Sequence, residues 1–386
     1  MALVSALVVA MLAAFALRRL LLLAAAIAPS RPLPTALESW PTVTLVVPAH
    51  NEAAGIDATL NAIEGLDYPD DRISIVLVDD HSSDATAEHL ERWARNRSRA
   101  RALRLERRVG KPGAVEAGMR AAPPSRLLAI CDADVRLRPD YLRRVASAFS
   151  DETTGGAVGY LLPVNALTSA VASYAAVESW IHQLVTSAGK DRLDLNPPTL
   201  GGAPVFRRTA LESIGGLGSA PSGDDVRATV ALTCCGWRTR FLPDAVAENE
   251  VAGNLSAYWR QHMRWAHDLY ATATDQRSTS ARISLSRRIE AWMLSVGYLD
   301  RVVLVAAMAL VATGRLSIWV PVAYLSVAAV EVAWAVIRAG AARHLPIVCV
   351  RTAAVFPLDV AGSLLATARH LVRTHPRASL RGAPQH

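Results

Sequence analysis

An α/β fold with a mostly parallel sheet, held between hydrophobic ends, is predicted by three features of the 386-residue chain. From about Pro41 to Arg277, short apolar runs alternate with charged helical stretches, the pattern of strand-helix-strand units. Outside that region the chain is apolar in blocks of membrane-spanning length, which lifts the hydrophobic share to 52% and the mean hydropathy to +0.22. Three acidic clusters, His50-Asn51-Glu52, Asp79-Asp80 and Asp132-Ala133-Asp134, each follow a run that reads as a buried strand. Open α/β sheets bind their ligands at that end of the strands, so carboxylates gathered there suit a metal, a sugar or a base.

The elements follow in order. Met1 to Ala28 is apolar except for Ser5 and Arg18-Arg19, and leads into a Pro-rich connector from Pro29 to Pro34. It reads as a membrane helix; a cleaved signal peptide fits less well, because no charged segment opens the run and it stays apolar past the arginines. Strands are predicted at Val43 to Val47, Ile73 to Val78 and Leu127 to Cys131, all short and rich in β-branched residues. Between the first two, Glu52 to Glu64 is helical and closes at Gly65 and Pro69, giving a βαβ unit. A helix near Ala85 to Arg97, a short strand at Ala102 to Leu105 and a helix at Val115 to Ala121 lead to the third strand. Further on, strands are expected at Ala157 to Leu161 and Thr239 to Leu242, with a helix from Thr168 to Ala188.

Beyond Arg288 three more segments, Ala291 to Thr313, Leu316 to Ile337 and Leu345 to Ala366, approach the ~20 residues that cross a bilayer. The first carries Asp300-Arg301 and the last Arg351, Pro357 and Asp359, so each either lies in the interface or turns its charges toward protein. Basic residues flank these segments, and the positive-inside rule puts them, with the domain between, on the cytoplasmic side of a plasma membrane. The net charge of +7 does not argue for nucleic acid, since no basic stripe with interleaved aromatics occurs. Anionic headgroups are the simpler partner. Cys131, Cys234, Cys235 and Cys349 lack disulfide or metal spacing and are expected to be reduced. The organisation expected is a membrane helix (1–28), a linker (29–40), the α/β domain (41–277), membrane or interfacial helices (278–368) and a basic tail (369–386).

No GxGxxG or GxxxxGK[ST] loop is present, which argues against a dinucleotide enzyme or a P-loop ATPase. A phosphate-bearing ligand therefore needs another counter-charge. Asp132 and Asp134 point the same way from an extended segment. Like charges ~4 Å apart cost about 4 kcal/mol even at an effective dielectric of 20, so an acid-lined diphosphate site calls for a divalent cation, Mg²⁺ or Mn²⁺. Taken singly, such features have plainer readings: Asp79-Asp80 before two serines, or Asp224-Asp225 after a turn, also suits a helix N-cap. Tyr258 to Trp265 also suits an amphipathic packing helix.

Taken together, Pro48 to Glu52, Val78 to Asp84, Gly110-Lys111, Asp132-Ala133-Asp134, Gly201-Gly202 with Arg207-Arg208, Gly223-Asp224-Asp225 and Gln261-His262-Met263-Arg264-Trp265 resemble the membrane-bound family 2 glycosyltransferases of GT-A fold. The resemblance implies that Glu52 and Asp80 hold the base and ribose of a nucleotide sugar, and that Lys111 sits near the nucleotide. It puts Asp132 on the sugar and Asp134 on the metal-diphosphate. Asp225 becomes the general base, with Asp224 standing where relatives commonly have Glu. Gln261, Arg264 and Trp265 match a QxxRW motif over the diphosphate and acceptor mouth. The chemistry needs these types: a carboxylate takes the acceptor proton on one face of the sugar, and a Lewis acid holds the leaving diphosphate on the other. The expected activity is inverting transfer from a nucleotide sugar to a membrane-associated lipid or lipid-linked acceptor. The alternatives are a processive polysaccharide synthase and a non-catalytic nucleotide-sugar-binding membrane protein.

Overall fold

A computed structural model describes residues 2–32, 39–199, 201–217, 224–275, 284–295 and 299–374. Its centre is an eight-stranded sheet of β1 (Val43–Ala49), β2 (Ile73–Asp79), β3 (Ala100–Arg104), β4 (Leu127–Ile130), β5 (Arg136–Leu137), β6 (Thr154–Pro163), β7 (Val205–Arg207) and β8 (Arg238–Asn249). The strand order is β3-β2-β1-β4-β7-β6-β8-β5. Four of the seven pairings among the described residues are parallel; β4 with β7, β7 with β6, and β8 with β5 run antiparallel. The sheet is therefore mixed, with its parallel part where the sequence places it.

β1 is buried at every position because helices cover both faces of its neighbourhood. Alternate residues serve the two sides. Val43, Leu45 and Val47 pack with Ile56, Leu60 and Ile63 on one face, while Val46 meets Val76, Val78, Ala114 and Val115 on the other. Val43 is in register with both Ile73 and Leu127, so β1, β2 and β4 end on one edge. The chain runs outward through β2 and β3, then returns to β4 on the opposite side of β1. That reversal opens the crevice in which doubly wound sheets bind ligands.

The helix Ala170–Trp180 continues as a π-helical turn, Ile181–Ser187, into Ala188–Arg192. The wider turn lets Gln183 act as a substitute strand residue: its Oε1 accepts from Leu161 N–H at 2.7 Å and its Nε2 donates to Leu161 C=O at 2.9 Å.

Ala2–Ile27, Trp319–Arg338 and Ala342–Leu365 are long and apolar enough to cross a membrane. Of the segment expected to cross at 291–313, residues 296–298 lie outside the described residues, and the helices Leu285–Ser295 and Leu299–Ala312 stand on either side of them. Asp300-Arg301 break the apolar run, and both side chains pair within the protein. Val303, Leu304, Ala307 and Leu310 pack with Val8, Leu12 and Tyr324, so this short helix leans on the first one. The last segment also turns its charges inward: Arg351 donates to Leu167 C=O, and Asp359 meets Tyr174 and Arg301.

Candidate active site at the sheet edge

The loops that follow β1 and β2 are laced to each other. Asn51 N–H donates to Ser82 Oγ at 3.0 Å, Ser83 N–H to Asn51 Oδ1 at 2.9 Å, and His50 Nδ1 lies 2.8 Å from the Asp80 carbonyl oxygen. Asn51 and His81 both adopt left-handed backbone, at φ 58° and 60°, a conformation disfavoured for side chains and retained where loop geometry matters. Glu52 N–H donates to Thr86 Oγ1 at 2.8 Å and Ala53 N–H to Asp84. The stretch from Ser82 to Thr86 thus holds the loop from Asn51 to Ala53, while the helix Thr86–Ala94 has Ala85 at its N-cap with no side-chain capping bond there.

Asp79 is buried and accepts from Ser82 N–H. The two carboxylate oxygens of Asp80 accept from Val109 and Gly110 N–H at 2.7 and 2.8 Å. Those bonds fix the start of the helix Gly110–Ala121, whose first turn carries Lys111. Lys111 Nζ then reaches Asp132 Oδ1 at 2.7 Å. Asp80 therefore acts on the crevice partly through the loop that delivers this cation.

Asp132 and Asp134 occupy a tight turn beyond β4. Asp132 N–H donates to Gly202 C=O at 2.7 Å, Val135 N–H to Asp132 C=O at 3.0 Å, and Thr59 Oγ1 to Ala133 C=O at 2.7 Å. Gly202 lies directly behind the pair: a Cβ there would strike Val135 and stand 3.1 Å from Asp132 Cβ. Its neighbour Gly201 has φ +102°. The paired glycines are required for both reasons, space and backbone.

The acids feel one another. Burial in the crevice, Asp134, Asp84 and Asp132 together push the Glu52 carboxyl above its usual range. Burial, Asp132 and Glu250 do the same to Asp134, with Lys111 opposing. Glu250 was not foreseen from the sequence; it follows β8 just as the other acids follow their strands, and the expected strand stopped short at Leu242. Glu52, Asp132 and Asp134 offer hard oxygen ligands under mutual repulsion, the donor type a divalent cation takes, although their ligand atoms are not gathered within 4.8 Å of one another.

The QHMRW residues lie on the helix Leu255–Asp275. Among the described residues no hydrogen bond or ion pair joins Gln261, Arg264 or Trp265 to Asp132 or Asp134. Instead His262 stacks on Tyr258 with centroids 3.8 Å apart and tilts against half-exposed Trp265 at 4.9 Å. Asp224 and Asp225 open the helix Asp224–Cys234, and their side chains lie outside the described residues.

Comparison with known proteins bears on the family and the fold. A family profile described as "Glycosyltransferase like family 2" matches residues 41–267. Curated relatives include a probable glycosyltransferase YdaM of Bacillus subtilis, 27% identical over 60% of this chain and 56% of that protein. An N-acetylglucosaminyltransferase of Mesorhizobium japonicum is 29% identical over 61% of this chain and 58% of its own. A beta-monoglucosyldiacylglycerol synthase of Synechocystis is also 29% identical, over 61% and 49%. The chain thus spans about half to three fifths of the length of these relatives. A mannosyltransferase, PcManGT from Pyrobaculum calidifontis, solved with GDP-Man and Mn²⁺, shares the fold at TM-score 0.62 and 21% identity, over 90% of this chain and 98% of that one. The profile match takes in the acidic turn, the paired glycines and the QHMRW helix, and the chain belongs to glycosyltransferase-like family 2.

Proposed function

We propose that this protein transfers a sugar from a nucleotide-sugar donor, with inversion, to a lipid or lipid-linked acceptor at a membrane surface, with its α/β domain in the cytoplasm. The observation that carries this reading is the convergence of Glu52, Asp132 and Asp134 with Lys111 at the switch point of the sheet. Glu52 and Asp80 hold the base and ribose, Lys111 balances charge beside the diphosphate, and Asp132 orients the sugar. Asp134, with Glu52 and Asp132 near, would hold Mg²⁺ or Mn²⁺, which when bound supplies a Lewis acid for the leaving diphosphate. Asp225, with Asp224 beside it, takes the proton of the acceptor hydroxyl. Arg264 forks onto phosphate, Gln261 donates alongside it, and Trp265 gives the acceptor a flat face. A lipid acceptor is supported by the three helices of membrane-crossing length and by the diacylglycerol named in the Synechocystis relative.

The test is label transfer from a panel of nucleotide sugars, with Mn²⁺ or Mg²⁺, into lipid and polymer fractions of membranes carrying the protein. Label in the lipid extract that is lost in Asp225→Asn and Asp134→Asn supports the proposal. Label in insoluble polymer instead identifies a processive synthase, a reading the QHMRW pattern also favours. Donor binding without transfer to any fraction identifies a nucleotide-sugar-binding protein.

A further inference from the structure

His262 sits inside the QHMRW segment, and both of its ring nitrogens are engaged in a charged cluster shared with the membrane helices. Its Nε2 lies 3.1 Å from Glu178 of the helix Ala170–Trp180, and its Nδ1 is 3.0 Å from the Tyr258 carbonyl oxygen. With an acceptor at each ring nitrogen, the doubly protonated ring is the form that satisfies both. Tyr258, one turn earlier, has its hydroxyl within 2.9 Å of Glu178 and 3.0 Å of Asp359. Asp359, only 3% exposed, belongs to the last membrane-length helix and also accepts from Tyr174 at 3.0 Å and from Arg301 Nε at 2.6 Å.

The cluster continues across the bundle. Arg301 pairs with Glu178 at 3.3 Å and with its neighbour Asp300 at 3.2 Å. Asp300 pairs in turn with Tyr324 and with Arg19 of the first helix, and Arg19 also meets Glu331. Ligand atoms of Glu178, His262 and Asp359 all lie within 4.8 Å of one another, a spacing that could suit a metal ion. Here Arg301 and the two tyrosine hydroxyls fill that space, and the guanidinium is the cation of the site. Four carboxylates (Glu178, Asp300, Glu331 and Asp359) face the two arginines, so protonated His262 supplies a third positive charge. Burial opposes that charge, but the hydrogen bond and charge of Glu178 outweigh it and push His262 above its ordinary range.

The geometry matters because residues 261, 262, 264 and 265 share little more than one helical turn. A rotation of the helix by one residue, 100°, would exchange the face that carries His262 for the face that carries Gln261. We infer that His262 is a positioning residue: through Glu178, Asp359 and Arg301 it fastens the QHMRW helix to the membrane bundle, so that the membrane helices set where Arg264 and Trp265 stand. This rests on the proposed placing of those two residues at the acceptor mouth.

The experiment compares the full-length protein with His262→Ala and His262→Gln in lipid nanodiscs, reading steady-state transfer and amide hydrogen exchange over 255–265. His262→Ala is expected to raise the acceptor KM by about tenfold while the donor KM stays within about twofold, and to speed exchange in that segment. His262→Gln keeps a donor toward Glu178 and is expected to recover part of both effects. Tyr258→Phe, which keeps the stacked ring but removes the hydroxyl, is expected to loosen the segment to a smaller degree. Unchanged exchange in His262→Ala overturns the inference. So does faster exchange with unaltered acceptor KM, or an equal rise in both KM values. If the wild-type protein transfers no sugar to any acceptor, the proposed function fails by itself; the exchange comparison still decides whether His262 fastens the helix.

Discussion

The site depends on single residues whose neighbours leave no slack. A methyl group at Gly202 would push into Val135 and crowd Asp132, the turn on which the two aspartates stand. Gly202→Ala is expected to cost about 1–3 kcal/mol of stability, as overpacking does. Because the strain falls on Asp132, donor affinity should fall in the same variant; thermal unfolding and donor titration measure the two losses. The carboxyls of Glu52 and Asp134 supply a pH signature. Both lie above their ordinary range, so the folded state holds their protons more tightly than the unfolded one. Stability is expected to decline as pH rises through those raised values, and a divalent cation, which replaces the protons, should restore it. The rise in Tm on adding Mn²⁺ should therefore grow as pH rises through the range in which these carboxyls titrate, and Asp134→Asn should remove most of it. A rise that Asp134→Asn leaves unchanged would mean that the cation binds elsewhere.

At the scale of elements, what could be read from the sequence was what the local pattern dictates. β1, β2 and β4 declare themselves because strands buried on both faces are continuous apolar runs, and the acids that follow them lie on one edge as soon as the strands are placed in register. β5 and β7, of two and three residues, carry no such pattern; they are strands only because β8 and β4 lie beside them. The antiparallel insertion of β7 between β4 and β6 follows from those distant pairings, as does the place of Glu250 near Asp134. The QHMRW helix was legible as a motif, whereas the inward face of His262 depends on Glu178 and Asp359, 84 and 97 positions away in a sequence of 386. Two predictions belong here. Gln183→Ala removes both bonds to Leu161 and should cost about 1–3 kcal/mol, while Gln183→Glu keeps the acceptor but turns an oxygen against the Leu161 carbonyl and should be no better. The His262–Glu178 pair is fully present below the ordinary histidine range of about 6.5 and is lost as pH rises through the raised folded value. Protection of the amides over 255–265, taken relative to their intrinsic base-catalysed exchange at each pH, should fall on that alkaline side, and His262→Gln should show no such step.

The whole molecule is held together by charges that a membrane helix would not carry without partners. Arg18 pairs with Glu290 at 2.7 Å, and Glu290 also receives buried Lys190 of the helix Ala188–Arg192 at 2.9 Å. Arg19 joins Asp300 and Glu331. Both arginines of the first helix thus find their counter-charges near the other end of the chain, and the two hydrophobic ends form one bundle. That bundle lies directly on the α/β domain: a Cβ at Gly189 would stand 3.0 Å from Leu22 Cα and strike the Leu22 carbonyl oxygen. Removing one partner of a buried network leaves the other charge without compensation, which costs more than the pair itself contributes. Arg19→Leu should accordingly destabilise the protein by about 3–5 kcal/mol, because Asp300 and Glu331, both nearly inaccessible, lose a cation. Arg19→Leu combined with Glu331→Leu removes a charge of each sign and should recover a substantial part of that loss, leaving Asp300 to Arg301 and Tyr324. Thermal unfolding of the single and double variants in the same lipid separates the alternatives. If the double variant falls by the sum of the two single losses, Arg19 and Glu331 act independently and the charged layer is not what joins the ends of the chain.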